Sequence, residues 1–373
     1  WQAGFEDPHL DAELGLGRTP LPALRRLLAW RALPGPLVEW LNRSVLGGRI
    51  EHGQARIRGP LRRFPFADGG GTFRVEAKVA GGELAYHPDW PSVTDLSGTL
   101  TVDRRRLTLN VASGRVSRGR IRGATASVHD LAGDPARLRI QGQVGLQLAD
   151  GVRFLEQSPL QPEGFLEPAV LAGPADLDLA LELALTEDAE PNVSGRLGIE
   201  GAAFRPRPGT PALVNMDGEV AFQGGRIRAS GLNGRLLGQS VTVDLDREPD
   251  KPLRAEVTGT FPAEALRTAL ARHGPDHPLS RRLTGEVGAR LQAVWGREER
   301  HAELHGDLER AALILPEPVF NGIGDPGQVT VRMDLAPNRR VEASLATGGN
   351  RWDMLAAPDP EGDWQVGLGI GLG

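Results

Sequence analysis

The 373-residue chain has no cysteine, two lysines (Lys78 and Lys251), a single tyrosine, 5% aromatics and no stretch of 18 uninterrupted apolar residues. Each shortage excludes something. Without cysteine there is no disulfide, no thiolate metal site and no sulfur nucleophile. Without a long apolar run, no segment is of a length and polarity to cross a bilayer as a helix. With few aromatic rings, burial rests on Leu, Val, Ala and Ile. A formal net charge of −5 offers no overall attraction to a phosphate backbone, so no nucleic-acid partner is expected. Catalytic signatures are equally scarce. No serine occupies a Gly-x-Ser-x-Gly elbow, and no acid pair stands apart from the scattered carboxylates. Gly69–Gly71 and Gly322–Gly324 lack the Lys-Ser/Thr of a phosphate loop and are expected to be turns. His301 and His305 are four apart, but in a region of strand periodicity, where that spacing is about 13 Å. His273-Gly-Pro-Asp-His277 has the composition of a solvated loop. No catalytic residue, metal or cofactor is expected.

What the chain has in quantity is alternation. Leu177-Asp-Leu-Ala-Leu-Glu-Leu-Ala-Leu185 puts every leucine on one side of a strand and small or acidic residues on the other. Leu138, Ile140, Val144, Leu146 and Leu148 share one parity against Arg139, Gln141, Gln143 and Gln147. Val241, Val243 and Leu245 oppose Thr242 and Asp244, and Leu283, Val287, Ala289, Leu291, Ala293 and Trp295 oppose Thr284, Glu286, Arg290 and Gln292. Val329, Val331, Met333 and Leu335 continue the pattern. The 49 Gly and 29 Pro mark turns between these runs, among them Asp103–Arg106, Gln223–Gly225 and Pro337-Asn338. Arg104-Arg-Arg106 is expected to be a hairpin tip, with contact to lipid phosphates as the alternative.

Helical spacing is confined to the N-terminal region, where Leu21, Leu24, Leu27 and Leu28 and then Leu37–Val45 flank Pro34-Gly-Pro36, and to Gly151–Gln157 and Pro262–Arg272. An internal repeat follows. Leu96-Ser-Gly98, Leu107 and Gly114-Arg-Val116 recur as Met216-Asp-Gly218, Ile227 and Gly234-Arg-Leu236, offset by 120. With small gaps, Leu138–Gly142 parallels Ala255–Gly259, and Gly173 parallels Gly285. The chain therefore divides into a helical segment 1–46, a first β segment 47–95, repeat units 96–215 and 216–330, and the start of a further β segment 331–373. It begins at Trp1 and stops within an alternating run, and is expected to be an internal piece of a longer protein.

Amphipathic antiparallel strands either bury their apolar faces in a closed sandwich or leave one open on a curved sheet, and pattern alone leaves both standing. Trp40-Leu41, Gly47-Gly-Arg49, Arg58-Gly-Pro-Leu61, Phe64-Pro-Phe66 and Gly71-Thr-Phe73, with Tyr86-His-Pro-Asp-Trp90-Pro91, Leu96-Ser-Gly98 and Ser158-Pro-Leu160, resemble the YhdP family of AsmA-like envelope proteins, whose relatives include TamB and YdbH. The resemblance runs over roughly 20–340 and is sharpest over 33–160. It implies a mainly β fold: an elongated, twisted antiparallel sheet of repeated units curled into an open apolar groove, with short helices between repeats. It also implies a non-catalytic periplasmic segment, anchored to the inner membrane elsewhere, that conducts phospholipid towards the outer membrane. The expected partners are acyl chains and, through other parts, the two membranes. The residues expected to line the groove are Leu107, Leu109, Val111, Leu138, Ile140, Val144, Leu146, Leu177, Leu179, Leu181, Leu183, Val241 and Val243. The alternatives are an envelope assembly factor whose sheet edge receives client strands, and an enzyme on a β scaffold.

Overall fold

The computed structural model describes residues 8–26, 35–87, 89–156, 169–186, 191–207, 209–271, 282–296, 299–314, 320–321, 323, 326–334, 340–347, 349–358 and 364–371. Ser158–Leu160, His273–His277 and Pro337-Asn338 lie outside them, as do Gly322 and Gly324. The architecture is mainly β, an open antiparallel sheet that does not close into a barrel. Two compact units divide the chain: Trp1–Pro162 with Pro174–Leu197, and Glu163–Gly173 with Gly198–Gly373.

In the first unit, β1 (His9–Leu16) and β2 (Thr19–Pro20) pair with the long β3 (Val45–Pro60). The order continues through β4 (Thr72–Leu84), β5 (Val93–Asp103), β6 (Arg106–Val116), β7 (Gly119–Val128) and β8 (Arg137–Gln147). After β9 (Val170–Ala172), which belongs to the second unit, β10 (Pro174–Ala184) pairs with β8. Consecutive strands joined by short turns account for this order. The Asp103–Arg106 hairpin closes through two residues, Arg104 standing at φ 53°.

Two departures from the sequence reading concern the N-terminal region. Residues 9–16, inside the stretch expected to be helical, form β1, and the described leucine-rich turn is a 3-10 helix, Leu21–Arg26. Helix α1 (Gly35–Ser44) follows, where a short second helix was expected. Leu10, Ala12, Leu14 and Leu16 alternate with Asp11 and Glu13, so β1 obeys the same period-two rule as its neighbours. Helix α2 (Leu148–Glu156) leaves β8 over the second expected helical stretch.

β11 (Asn192–Arg205), which belongs to the second unit from Gly198 on, pairs with β9 at Ala203–Arg205. Beyond it, β12 (Leu213–Gln223), β13 (Arg226–Leu236), β14 (Gln239–Arg247), β15 (Leu253–Pro262), β16 (Leu283–Trp295) and β17 (Arg300–Asp307) pair in succession. Helix α3 (Ala263–Ala271) joins β15 to β16. The first residues of β16 pair instead with β18 (Ala311–Ile314), which holds β19 (Phe320–Asn321). Against β17 lie, in order, β20 (Gly327–Asp334), β21 (Val341–Thr347), β22 (Asn350–Pro358) and β23 (Trp364–Gly371).

The offset of 120 is also carried by the backbone. Left-handed conformations occur at Gly81 and Gly201, Asp95 and Asn215, Arg104 and Gly224, and Ser117 and Leu237. Trp90 N donates to His87 O at 3.3 Å, as Thr210 N does to Arg207 O at 3.2 Å. Gly173 and Gly285 both have positive φ, and a Cβ on either would lie within 3 Å of the facing chain, 2.8 Å from Ala202 Cα and 2.4 Å from Arg310 O respectively. Only glycine meets both requirements.

Candidate functional site: a continuous apolar face

In an antiparallel sheet, directly opposed residues point to the same side, so register converts alternation into rows that run across strands. In the first unit one row reads Leu14, Ala55, Val75, Val102, Leu107, Val128, Leu138, Leu183, from β1 to β10 without a polar residue. The next row reads Leu16, Gly53, Ala77, Leu100, Leu109, Ala126, Ile140, Leu181. A third runs Val79, Gly98, Val111, Ala124, Gly142, Leu179, and a fourth Gly114, Ile121, Val144, Leu177, with Leu146 beside Ala175. At about 4.8 Å per strand, eight strands carry such a row across roughly 34 Å.

The second unit does the same. Ala229, Leu245, Ala255, Ala293, Ala302, Met333, Val341, Ala356 and Val366 form one row. Leu232, Val243, Val257, Leu291, Leu304, Val331, Ala343, Met354 and Leu368 form the next. Gly234, Val241, Gly259, Ala289, Gly306, Val329, Leu345 and Trp352 form a third.

Opposite parities carry the charge. Gln143 Nε2 donates to Asp178 at 2.9 Å, Arg122 pairs with Asp176 at 2.7 Å, and Arg137 and Arg139 both reach Glu182. In the second unit Gln292 donates to Glu256 at 2.8 Å and Arg290 pairs with the same carboxylate. His301 and His305 lie on this polar side of β17, beside Glu299 and Glu303. These pairs are largely solvent-exposed, worth no more than about 1 kcal/mol each, and they keep that face wet. A polar cavity of ≈ 610 Å³ in the second unit is lined by Ser240, Thr242, Thr258, Thr260, Glu286 and Arg310, and by Gly234, Val241 and Gly259 of the third row.

Burial along the apolar face is graded. Val111, Leu138, Leu181, Leu183, Val241 and Val243 are buried, whereas Leu107, Leu109, Ile140, Val144, Leu146, Leu177 and Leu179 are half-buried. Short segments supply part of the cover. Leu21 of the 3-10 turn packs on the cluster of Val79, Leu96 and Val111, and Leu266 of α3 packs on Val287, Leu308 and Ala311. The remaining members of both clusters come from neighbouring strands of the same sheet.

An aromatic plug occupies the end of the first unit's sheet where α1 and α2 lie. Trp40 Nε1 donates to Tyr86 O at 3.1 Å, the Trp90 ring lies tilted against Tyr86 with centroids 6.1 Å apart, and Phe154 of α2 meets Trp90 edge-on at 5.6 Å. Burial pushes the Tyr86 hydroxyl well above its ordinary pKa, so it stays neutral. Tyr86 and Trp90 of the Tyr86–Pro91 motif are thus built into the wall. Arg104–Arg106 is the β5–β6 hairpin tip, with Arg105 near Asp130 at 3.8 Å and Arg106 Nη2 within 3.1 Å of His129 Nε2.

A profile of the family described as YhdP protein matches residues 2–369. The chain belongs to the YhdP family. The curated relative "Intermembrane phospholipid transporter YhdP" of Escherichia coli (strain K12) is 24% identical over 317 residues, covering 82% of this chain. This YhdP-family chain spans 25% of that protein's length. No solved structure matches it. The expected lining residues of this YhdP-family chain fall on the shared rows. Strand parity singles out Val329, Val331 and Met333 of β20, but not β1, whose Leu14 and Leu16 begin two of the rows, nor β21 and β22, which extend the second unit's face.

Proposed function

We propose that this chain is a non-catalytic segment of a periplasmic bridge that conducts phospholipid between inner and outer membrane along its apolar face. The observation that carries the proposal is the unbroken row of aliphatic side chains across eight strands in one unit and nine in the other. Such a row, about 34 Å in the first unit, is roughly twice the 15 Å or so that one leaflet's acyl chains occupy. A lipid tail therefore meets equivalent aliphatic surface as it shifts from strand to strand. Transfer from water is worth about 25 cal/mol per Å² of apolar surface and is non-directional, so it holds a tail without fixing it at one point. The half-buried positions, chiefly Leu107, Leu109, Ile140, Val144, Leu177 and Leu179, are the contact surface, and the buried ones brace it. Family membership supports the lipid assignment, and the relative's printed name supports movement between membranes.

Native mass spectrometry of the purified chain tests the reading and should find co-purified phospholipid. Leu179→Asp places a charge on a half-buried row position, and should abolish lipid retention while leaving the circular dichroism spectrum native-like. Undiminished lipid in a folded Leu179→Asp protein would sink the proposal. Crosslinking from these positions to protein strands instead of lipid would favour an assembly factor.

A further inference from the structure

Among the described residues, two arginines break the apolar parity of the second unit, both at the same margin. Ile227 on β13 opposes Arg247 at the end of β14, and Leu253 at the start of β15 opposes Trp295, which opposes Arg300 at the start of β17. Arg247 shares its side of β14 with Val243 and Leu245, and Arg300 shares its side of β17 with Ala302 and Leu304. The outermost row of this face thus ends in cations. Each is held by its own turn, Arg247 Nε donating to Lys251 O at 3.3 Å and Arg300 Nε to Gly296 O at 3.1 Å. Neither has a carboxylate partner among the described residues, whereas arginines of the polar face such as Arg228, Arg290 and Arg351 do. The Arg300 guanidinium stands over the Trp295 ring, 5.6 Å from its centroid, and the buried Trp295 Nε1 has no hydrogen-bond partner.

We propose that Arg300, braced on Trp295, binds the phosphate of a lipid headgroup whose tails lie on the adjoining apolar rows, with Arg247 three strands away adding positive charge to the same margin. The inference rests on the lipid-conduit reading and adds which margin of the second unit carries headgroups. Three features support it. Stacking on an indole leaves the edge of a guanidinium, with its fork of N–H donors, turned towards solvent. An oxyanion satisfies several guanidinium donors at once, and such charge-assisted bonds are about twice as strong as neutral ones. The site also adjoins Leu253, Ala293, Ala302 and Leu304, so charge and hydrocarbon surface meet where a phospholipid needs both.

The test compares two lipids with the same acyl chains, dimyristoyl phosphatidylglycerol and dimyristoylglycerol, binding to the 373-residue chain in native mass spectrometry. Wild type should retain the phospholipid about tenfold better. Arg300→Gln should remove that preference while leaving dimyristoylglycerol binding unchanged, and Trp295→Leu, which takes away the ring beneath the guanidinium, should lower it in a second protein. Arg300→Lys should restore only part of it, since an ammonium lacks the planar fork. Arg247→Gln, at a turn, gives an independent reading should either other variant fold poorly, and should lower the preference by a smaller factor. Equal retention of the two lipids by wild type, or a preference that survives these substitutions, overturns the headgroup site and leaves the conduit intact. Wild type that retains neither lipid overturns both. Inorganic phosphate at millimolar concentration that displaces the phospholipid completely would assign the site to free phosphate, and so would also overturn it.

Discussion

The corresponding margins of the two units are built on the same pairing and finished with different chemistry. In the first unit the rows of β7, β8 and β10 run past Val128, Leu138 and Leu183 into Leu131, Ala136 and Leu185, all buried, with Leu185 N donating to Ala136 O at 2.8 Å. By pairing position, Ala136 and Leu185 correspond to Leu253 and Trp295 of the second unit, and Asp130 to Arg247. One margin closes on aliphatic side chains and the other ends on a tryptophan between two arginines. Register is repeated because hydrogen bonding and alternation are backbone properties. The margin is free to differ because it lies at the strand ends, next to the connecting turns, where a side chain can change without disturbing the register.

The comparison breaks most sharply at Leu185, which is 1% exposed. Leu185→Asp buries a carboxylate with no cation built to meet it and should cost about 4 kcal/mol or more. Urea denaturation should show that loss, and a fully stable variant would mean that the first margin is open after all. Next in size is Leu181, two residues from the half-buried Leu179 but itself 5% exposed. Leu181→Asp should destabilise the fold by about 3 kcal/mol, where Leu179→Asp mainly alters lipid content. Circular dichroism alongside native mass spectrometry separates the two outcomes. Third comes the glycine shared by the two repeats. Gly285→Ala puts a Cβ against Arg310 O and should lose roughly 2 kcal/mol, with a loss of similar size for Gly173→Ala. Thermal unfolding of both variants checks whether the two repeats tolerate the change alike. The smallest effect belongs to the polar side, where Glu182→Gln loses an exposed pair with Arg139 and should shift stability by less than about 1 kcal/mol.

Much of this was legible before any coordinates. A strand advertises itself through nearest-neighbour alternation, which is local, so Leu177–Leu185 and Leu138–Leu146 were assigned to one face from sequence and their opposition in β8 and β10 followed. The offset of 120 was legible for the same reason, as glycines and apolar residues mark turns and inward positions in both copies. β1 was missed because eight residues of alternation were overshadowed by the leucine-rich stretch that follows. The graded burial was not legible at all. Leu179 and Leu181 are identical residues two apart on one face, and only their neighbours decide that one is half-buried and the other buried.

What the linear order of residues determined by itself is the side each residue takes, because the period of a strand is fixed by the geometry of the chain. Tertiary structure alone decided which strands lie side by side, and therefore that scattered aliphatic residues line up into rows. It alone also brought Leu253 opposite Trp295, whose ring the Arg300 guanidinium overlies. Such meetings depend on hydrogen-bond register between distant segments, which no local pattern encodes.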